Sequence, residues 1–586
     1  MSNGSKQTDS SETKAMRQLL FRASSADFKK IAGSPIAYWA SSEILAAFEK
    51  KQLRDVADAK QGMATSDNSR FLRLWHEVNF DRICVNCKDA SESERRSEKW
   101  YAYNKGGPFR RWFGNNEYVV NWHKNGEELK EFVEEINKLR PGGRLKNQDY
   151  YFLENVTYSA ISSGPLSARY NPPGFLFDTK GSCIFSKELS THSLISMLNS
   201  NAIQSFLDIL CPTLDYSSIG INAIPVAVPN QELPAKDLIK LSKEDWDAFE
   251  TSWDFSGLLL LLPKISQPSL ERTYKQARAA WHEMTSKTQC LEVENNDIFI
   301  EAYGLKGKLK PSVELNEITL TCNPHYRYGG DKSDKELETL LLADTVREFL
   351  SYAVGCMFGR YSLDKPGLVL ANQGETLADY LHQVPEPRFM PDEDNVIPLL
   401  DGEWFPDDVT ERFRQFLRVT FGAEHYAENL AFIEDALGKD VRKYFLRDFY
   451  TDHVKRYKKR PIYWLFASPK GTFSALIYLH RYRPDTVSVV LQYLRDFRKK
   501  LAARLEHLQQ VQVSTSASQG EKTKAVKEAD TIRKQQLELD DYERDTLYPL
   551  ATEQKPLDLD DGVKVNYLKL GSALKTIPGL AAKGED

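Results

Sequence analysis

"WYAYNKGGPFRRWFGNNEYVVNWHKNG", Trp100–Gly126, holds three tryptophans, five further aromatics and four glycines around a Lys-Gly-Gly-Pro-Phe-Arg-Arg core. Glycine and proline at this density exclude a helix. Few ordinary strands carry so many large rings beside paired arginines. The stretch reads as part of a longer β-like, turn-rich region, from about Gly62 to Val228, rich in Trp, Tyr, Phe and Val with Gly-Pro punctuation.

Working outward, 586 residues exceed one compact core and predict two to four domains. Hydrophobic residues at 41% are enough to fold most of that length. A net charge of -5 excludes a general polyanion binder, so any nucleic-acid surface must be a local basic patch. Seven scattered cysteines, an odd number, argue against a disulfide framework and for a reducing compartment. The polar N-terminus lacks a signal-peptide core. The longest apolar block, "GLLLLLP" from Gly257 to Pro263, is too short to span a membrane, so a soluble cytoplasmic protein is expected.

The chain divides into a disordered tail over 1–26, a connecting turn and helix over 27–61, and the β-rich region over 62–228. One helix stands out in that region, "LSTHSLISMLNSNAIQSFLDIL", and a strand is expected at "INAIPVAVP". Residues 229–391 read as mixed and mainly helical, and 392–408 as an extended acidic linker. Residues 409–586 read as a helical C-terminal domain. Within it, 484–550 predicts a helical hairpin, with a Leu494, Leu501, Leu505 and Leu508 stripe facing Ala525, Ala529 and Ile532. The fold class is α+β and multidomain.

Enzymatic motifs are sparse. Cys84 and Cys87 form a Cys-x-x-Cys pair without a second pair, and read as small apolar residues rather than zinc ligands. "YNPPGF", Tyr170–Phe175, approaches the Asn-Pro-Pro-aromatic motif of amino-group methyltransferases, but Gly174 stands where the aromatic belongs. No strand–glycine loop–helix element for a cosubstrate accompanies it, so Asn171-Pro172-Pro173 reads as a rigid turn. Neither a Ser-His-Asp nor a Gly-x-Ser-x-Gly arrangement occurs.

Basic runs interleaved with aromatics are the positive signal. Lys99–Arg111 carries Asn104, Lys105, Arg110 and Arg111 with no acid. Leu139–Tyr151 carries Arg140, Arg144 and Lys146 beside Asn147. His453–Trp464 carries Lys455, Arg456, Lys458, Lys459 and Arg460, again with no acid. Lysine and arginine on loops suit phosphates, while Asn, Gln and Arg can read base edges. The bland reading of each run is a solvated face. For the Trp100 stretch it is Trp112 and Trp122 in a core, with Arg110 or Arg111 paired to Glu117.

Five blocks carry a family resemblance: "DFKKIAGSPIAYWAS", "GMATSDNSRFLRLWHEV", "KWYAYNKGGPFRRWFGNNEYVVNW", "SYAVGCMFGRYSLDKPGLVL" and "KRPIYWLFASPKGTFSALIYLHRYRPDTVSVVLQYLR". They resemble the C-terminal half of PglX, the adenine-specific DNA methyltransferase family of BREX (bacteriophage exclusion) defence systems. "GMATSDNSRFLR" and "MLNSNAIQSFLDILCPTLDYSSIGINAIPV" also resemble the two ends of target-recognition domains in combined restriction-modification enzymes. The resemblance therefore implies a DNA-specificity domain over 62–228.

The resemblance also implies that the S-adenosylmethionine fold and the Asn-Pro-Pro-Tyr motif belong to an N-terminal half not represented here. This chain is then expected to hold no cofactor or metal of its own and to methylate nothing alone. Its implied partners are double-stranded DNA, the methyltransferase half or subunit, and other BREX proteins. Asn104, Lys105, Arg110, Arg111, Arg144, Lys146 and Asn147 are expected to touch DNA, with Ser66, Asp67 and Asn68 shaping the domain entrance. Lys455, Arg456, Lys458, Lys459 and Arg460 are expected on phosphates. Two rival expectations stand beside this one: a whole adenine methyltransferase, and a non-catalytic scaffold of the defence complex.

Overall fold

Nine short strands account for the β-like text in the computed structural model, which describes residues 24–162 and 164–580. They are β1 (Ala57–Lys60), β2 (Leu72–Leu74), β3 (Ile83–Cys84), β4 (Trp100–Asn104), β5 (Tyr118–Asn121), β6 (Asn155–Tyr158), β7 (Ala168–Asn171), β8 (Leu176–Phe177) and β9 (Cys183–Ser186). One sheet is antiparallel, in the order β1-β9-β6-β7. The other runs β2-β5-β4-β3, with β8 also paired to β4. The Trp100 stretch supplies its centre: β4 and β5 pair antiparallel, Trp100 opposite Asn121 and Tyr103 opposite Tyr118. Met63, Tyr103, Phe177, Cys183 and Phe185 pack in one core between the sheets.

The single helix expected at Leu189–Leu210 is two, α1 (Thr191–Leu198) and α2 (Asn201–Leu210). The break has a cause. Asn199 leaves the helix to bond both backbone groups of Ala168 in β7, at 2.9 and 3.0 Å. The expected strand at Ile221–Pro229 does not form, because Ser218–Asn222 is a short helix. Past it the chain lies beside its own entry, with Leu53 N–H donating to Ile224 O and Val226 N–H to Lys51 O, both at 2.8 Å. Pro225 between them has no N–H to extend the ladder. The β-rich unit thus closes on itself between Lys51 and Val226. The 1–26 tail falls almost wholly outside the described residues.

The three longest helices that follow, up to residue 391, are α3 (Ala235–Asp247), α4 (Leu270–Ala302) and α5 (Asp334–Met357). At 33 residues, α4 is about 50 Å long. Its Leu270 and Ala277 lie in the C-terminal core, and its Ile298, Phe299 and Ile300 lie in the core beneath β6 and β9. It is a strut fastening the two halves.

Residues 392–408 are not a linker. Val396, Ile397, Leu399 and Leu400 are buried, and β10 (Ile397–Pro398) joins β11 (Tyr463–Ala467) and β12 (Ser474–Tyr478) in the order β10-β12-β11. The apolar "VIPLL" core of the segment outweighs its flanking acids, and Pro398 is tolerated on an edge strand. The Ser468–Gly471 turn makes β11 and β12 a hairpin, closed by Ser468 N–H to Phe473 O at 2.9 Å.

Helix α6 (Tyr450–Arg456) leads into that sheet. The C-terminal hairpin is α7 (Thr486–Val513) against α8 (Gln519–Tyr542). Leu494, Leu501 and Leu508 are buried with Ala525, Ala529 and Ile532 in one core, while Leu505 is only partly covered. Ser518 and Glu521 cap the start of α8 reciprocally. No helix among the described residues is long and apolar enough to cross a membrane.

Candidate nucleic-acid interface

The loop joining β4 to β5 turns inward. Asn104 is buried at the end of β4, where its amide donates to Gly181 O at 3.0 Å and reaches Thr157 Oγ1. It locks one sheet to the other and offers no edge to a ligand. Gly106 and Gly107 then take positive φ, and a side chain at Gly107 would collide with the Asn115 amide. The Lys105 ammonium lies over the Tyr118 ring, 4.8 Å from its centre.

Arg110 and Arg111 do not face solvent; they are 3% and 8% exposed. Arg110 donates to Asp245 Oδ2 at 2.7 Å, to Phe113 O at 2.9 Å and to Thr321 Oγ1 at 2.9 Å, with its guanidinium over Trp246. Arg111 donates to Glu292 at 2.9 Å and Glu317 at 3.2 Å. Trp112 Nε1 donates to the second Glu292 oxygen at 2.7 Å. Burial holds the Glu292 carboxyl above its ordinary range, opposed by Arg111. The "PFRRWF" tip is therefore a wedge driven between α3 and α4. The bland reading holds in kind, although the acids are Asp245, Glu292 and Glu317 rather than Glu117.

The third basic run is also largely consumed by structure. Arg456 pairs with Glu250 at 2.8 Å, Lys458 with Glu117, and Arg460 with Glu77 at 3.7 Å. Glu77 and Glu117 belong to the β-rich unit, so this run zips the C-terminal sheet onto it. Lys458 and Lys459 hold positive φ to make that approach. Of the five, Lys455 and Lys458 are exposed, Lys455 on its helix.

The second run lies on the outside. Ala64 N–H donates to Arg144 O at 2.8 Å, and Asn147, at φ 52°, donates to Gln61 O at 2.8 Å. Lys146 is exposed and reaches Gln61 Oε1 at 3.2 Å, and Arg144 is half-buried against Arg140 O at 2.9 Å. Ser66 takes φ 63°, Asp67 caps the next helical turn by accepting from Arg70 N–H at 3.0 Å, and Thr65 donates to Asn68 at 2.6 Å.

Gly62 and Met63 bond Asp178 O and Phe177 O, and Thr179 bonds Met63 O. Four turns, 61–68, 105–107, 144–147 and 178–181, thus form one lip. Lys146 and Lys180 are exposed on it, Lys60, Lys105 and Arg144 partly so, and Arg140 is exposed beside it. Lys60 and Lys180 were not singled out from sequence, since each is a lone lysine and only backbone pairing brings it to this rim.

Asn171 is fully buried in β7 and donates to Asn155 Oδ1 at 3.4 Å. Gly174 sits at φ 116°, where a Cβ would lie 2.5 Å from Val85 O. The Pro-Pro-Gly turn seats the loop containing Cys84 and Cys87 and leaves no room for an aromatic.

No protein-family model matches the chain. It is 37% identical over 589 residues to the adenine-specific methyltransferase PglX of Lacticaseibacillus casei (strain Zhang), covering 96% of this chain and 46% of that protein. It is likewise 37% identical over 581 residues to the adenine-specific methyltransferase BrxX of Escherichia coli O9:H4 (strain HS), with the same coverage. The chain is thus a PglX-like protein that spans about half the length of the curated relatives it matches.

Proposed function

We propose that the chain is the DNA sequence-recognition half of a BREX-type, adenine-specific N6 DNA methyltransferase, used to mark self DNA in phage defence. The observation carrying this reading is identity along 96% of the chain to two adenine-specific methyltransferases of which it spans 46%. Its own Asn-Pro-Pro-Gly turn is structural, so the methyl transfer and the S-adenosylmethionine site fall to the other half. The lip of four turns is the surface suited to a duplex. Lys146, Lys180, Arg140 and Arg144 would meet phosphates there, and Asn147 and Gln148 stand beside them for base edges.

Reconstitution tests the reading. The chain with labelled S-adenosylmethionine and DNA transfers nothing alone, and transfers at one short site when combined with a PglX catalytic half. Methyl transfer by the chain alone refutes it.

A non-catalytic scaffold is the second reading, favoured by one observation: two of the three basic runs are spent largely on internal ion pairs. Gel-shift titration against salt separates the two. DNA affinity falling steeply with salt supports recognition, and no binding with the catalytic half present supports the scaffold.

A further inference from the structure

The helix that begins at His123 ends at Leu139, and at that end its apolar stripe outruns the core. Leu129 and Val133 are buried, and Phe132 packs partly covered against the same core. Leu139 follows Phe132 by seven positions and Ile136 by three, which puts it on that same face one turn further out. There it is 85% exposed, more than any other large hydrophobic residue among the described ones.

The loop that follows is pinned at its base and bare at its tip. Arg140 N–H closes the last helical turn onto Ile136 O at 2.8 Å. The Arg144 guanidinium donates to Arg140 O at 2.9 Å and reaches Asn137 Oδ1, and Leu145 packs against the core. Between these anchors Pro141, Gly142 and Gly143 are all exposed. They carry little side chain to hold an approaching surface away from Leu139.

Four cations flank this leucine: Lys138, Arg140 and Lys146 are exposed and Arg144 partly so. No acid occurs from Ile136 to Gln148. The bordering Glu135 and Asp149 make no ion pair with the run, and neither does any other carboxylate among the described residues. Arg144 and Lys146 bond only neutral oxygens, those of Arg140, Asn137 and Gln61. Of the three basic runs, folding leaves this one without a counter-charge.

Unpaired cations draw in a polyanion, and an exposed leucine among them needs an apolar surface on that polyanion. A duplex offers a broad one in the faces of its bases, reached by parting a base step. We propose that Leu139 is a wedge that enters the base stack of the bound duplex, with Lys138, Arg140, Arg144 and Lys146 on the flanking phosphates. This rests on the recognition reading above and gives it a mechanical part. Methyl transfer to adenine N6 takes that base out of the stack, and a wedge offsets the stacking that is lost.

DNA topology tests the wedge. Closed circular plasmid relaxed by a type I topoisomerase under saturating full chain, then freed of protein, shows a lowered linking number, because parting a base step unwinds the duplex. Leu139→Phe keeps the shift. Leu139→Ala reduces it by about threefold or more, while the thermal midpoint and the salt slope of binding stay those of the wild type. An equal shift for wild type and Leu139→Ala, or none for either with DNA bound, overturns the wedge and leaves the recognition reading standing. No DNA binding by the wild-type chain, even with a PglX catalytic half present, overturns both.

Discussion

Arg110 Nη2 donates to Asp245 Oδ2 at 2.7 Å, with both side chains buried and Asp245 also accepting from the Thr321 and Cys322 N–H groups at 2.7 and 2.9 Å. This ion pair joins the β4–β5 loop to α3. Arg110→Ala strands a buried carboxylate and is expected to cost about 3–5 kcal/mol, read by chemical denaturation. Arg110→Met combined with Asp245→Leu recovers much of that loss, since both charges are then gone. A fully stable Arg110→Ala protein with impaired DNA binding contradicts the wedge.

Lys146 and Lys180 are exposed on the lip of four turns. Changing either to Ala leaves stability within about 0.5 kcal/mol. If the lip tracks a duplex, each change lowers the slope of log affinity against log salt by about 1. Affinity titrations at several salt concentrations check this, and unchanged slopes place the duplex elsewhere.

Gly174→Tyr recreates an Asn-Pro-Pro-Tyr text in this chain. It is expected to destabilise by more than about 2 kcal/mol, because φ 116° suits glycine and a Cβ there would lie 2.5 Å from Val85 O. Methylation assays of this variant show no gained transfer. Thermal unfolding beside the assay separates a folded inactive protein from a collapsed one.

Asp392 is buried near Asp394 and 4.0 Å from Arg412. Burial, then the Asp394 charge, raise its carboxyl to about 7. A raised carboxyl pKa means the folded chain keeps a proton that the unfolded chain releases. Stability at this group is therefore full below the ordinary carboxylate range and is lost as pH rises toward 7. Asp392→Asn is expected to be more stable than wild type at pH 8, with the advantage shrinking as pH falls to 4. Denaturation midpoints across that range check the sign, and an advantage that grows toward low pH contradicts it.

In the C-terminal hairpin, Leu501 and Leu508 on α7 pack in one core with Ala525, Ala529 and Ile532 on α8. Leu501→Ala is expected to cost about 2–5 kcal/mol, whereas Leu505→Ala at the partly covered position costs less. Hydrogen exchange over α7 and α8 locates the loss.

Sequence by itself determined whatever depends on local pattern. The 3.6-residue stripe of Leu494, Leu501 and Leu508 specified the hairpin, and the Ser-Pro-Lys-Gly text specified the β11–β12 turn. Gly174 stands where the Asn-Pro-Pro-aromatic motif has its ring, and five long blocks placed the chain among the PglX-like proteins. The partners of its charges lay beyond local pattern. Arg110 and Asp245 are 135 positions apart and Lys458 and Glu117 are 341 apart, so an acid-free run reads as a free basic patch in sequence. Tertiary structure decided that Arg110, Arg111, Arg456, Lys458 and Arg460 hold the molecule together, that 392–408 is core rather than linker, and that Arg360 is buried against the Tyr478 hydroxyl. The physical reason is common to all three: a charge has a meaning only with its solvent exposure and its nearest opposite charge, and folding supplies both.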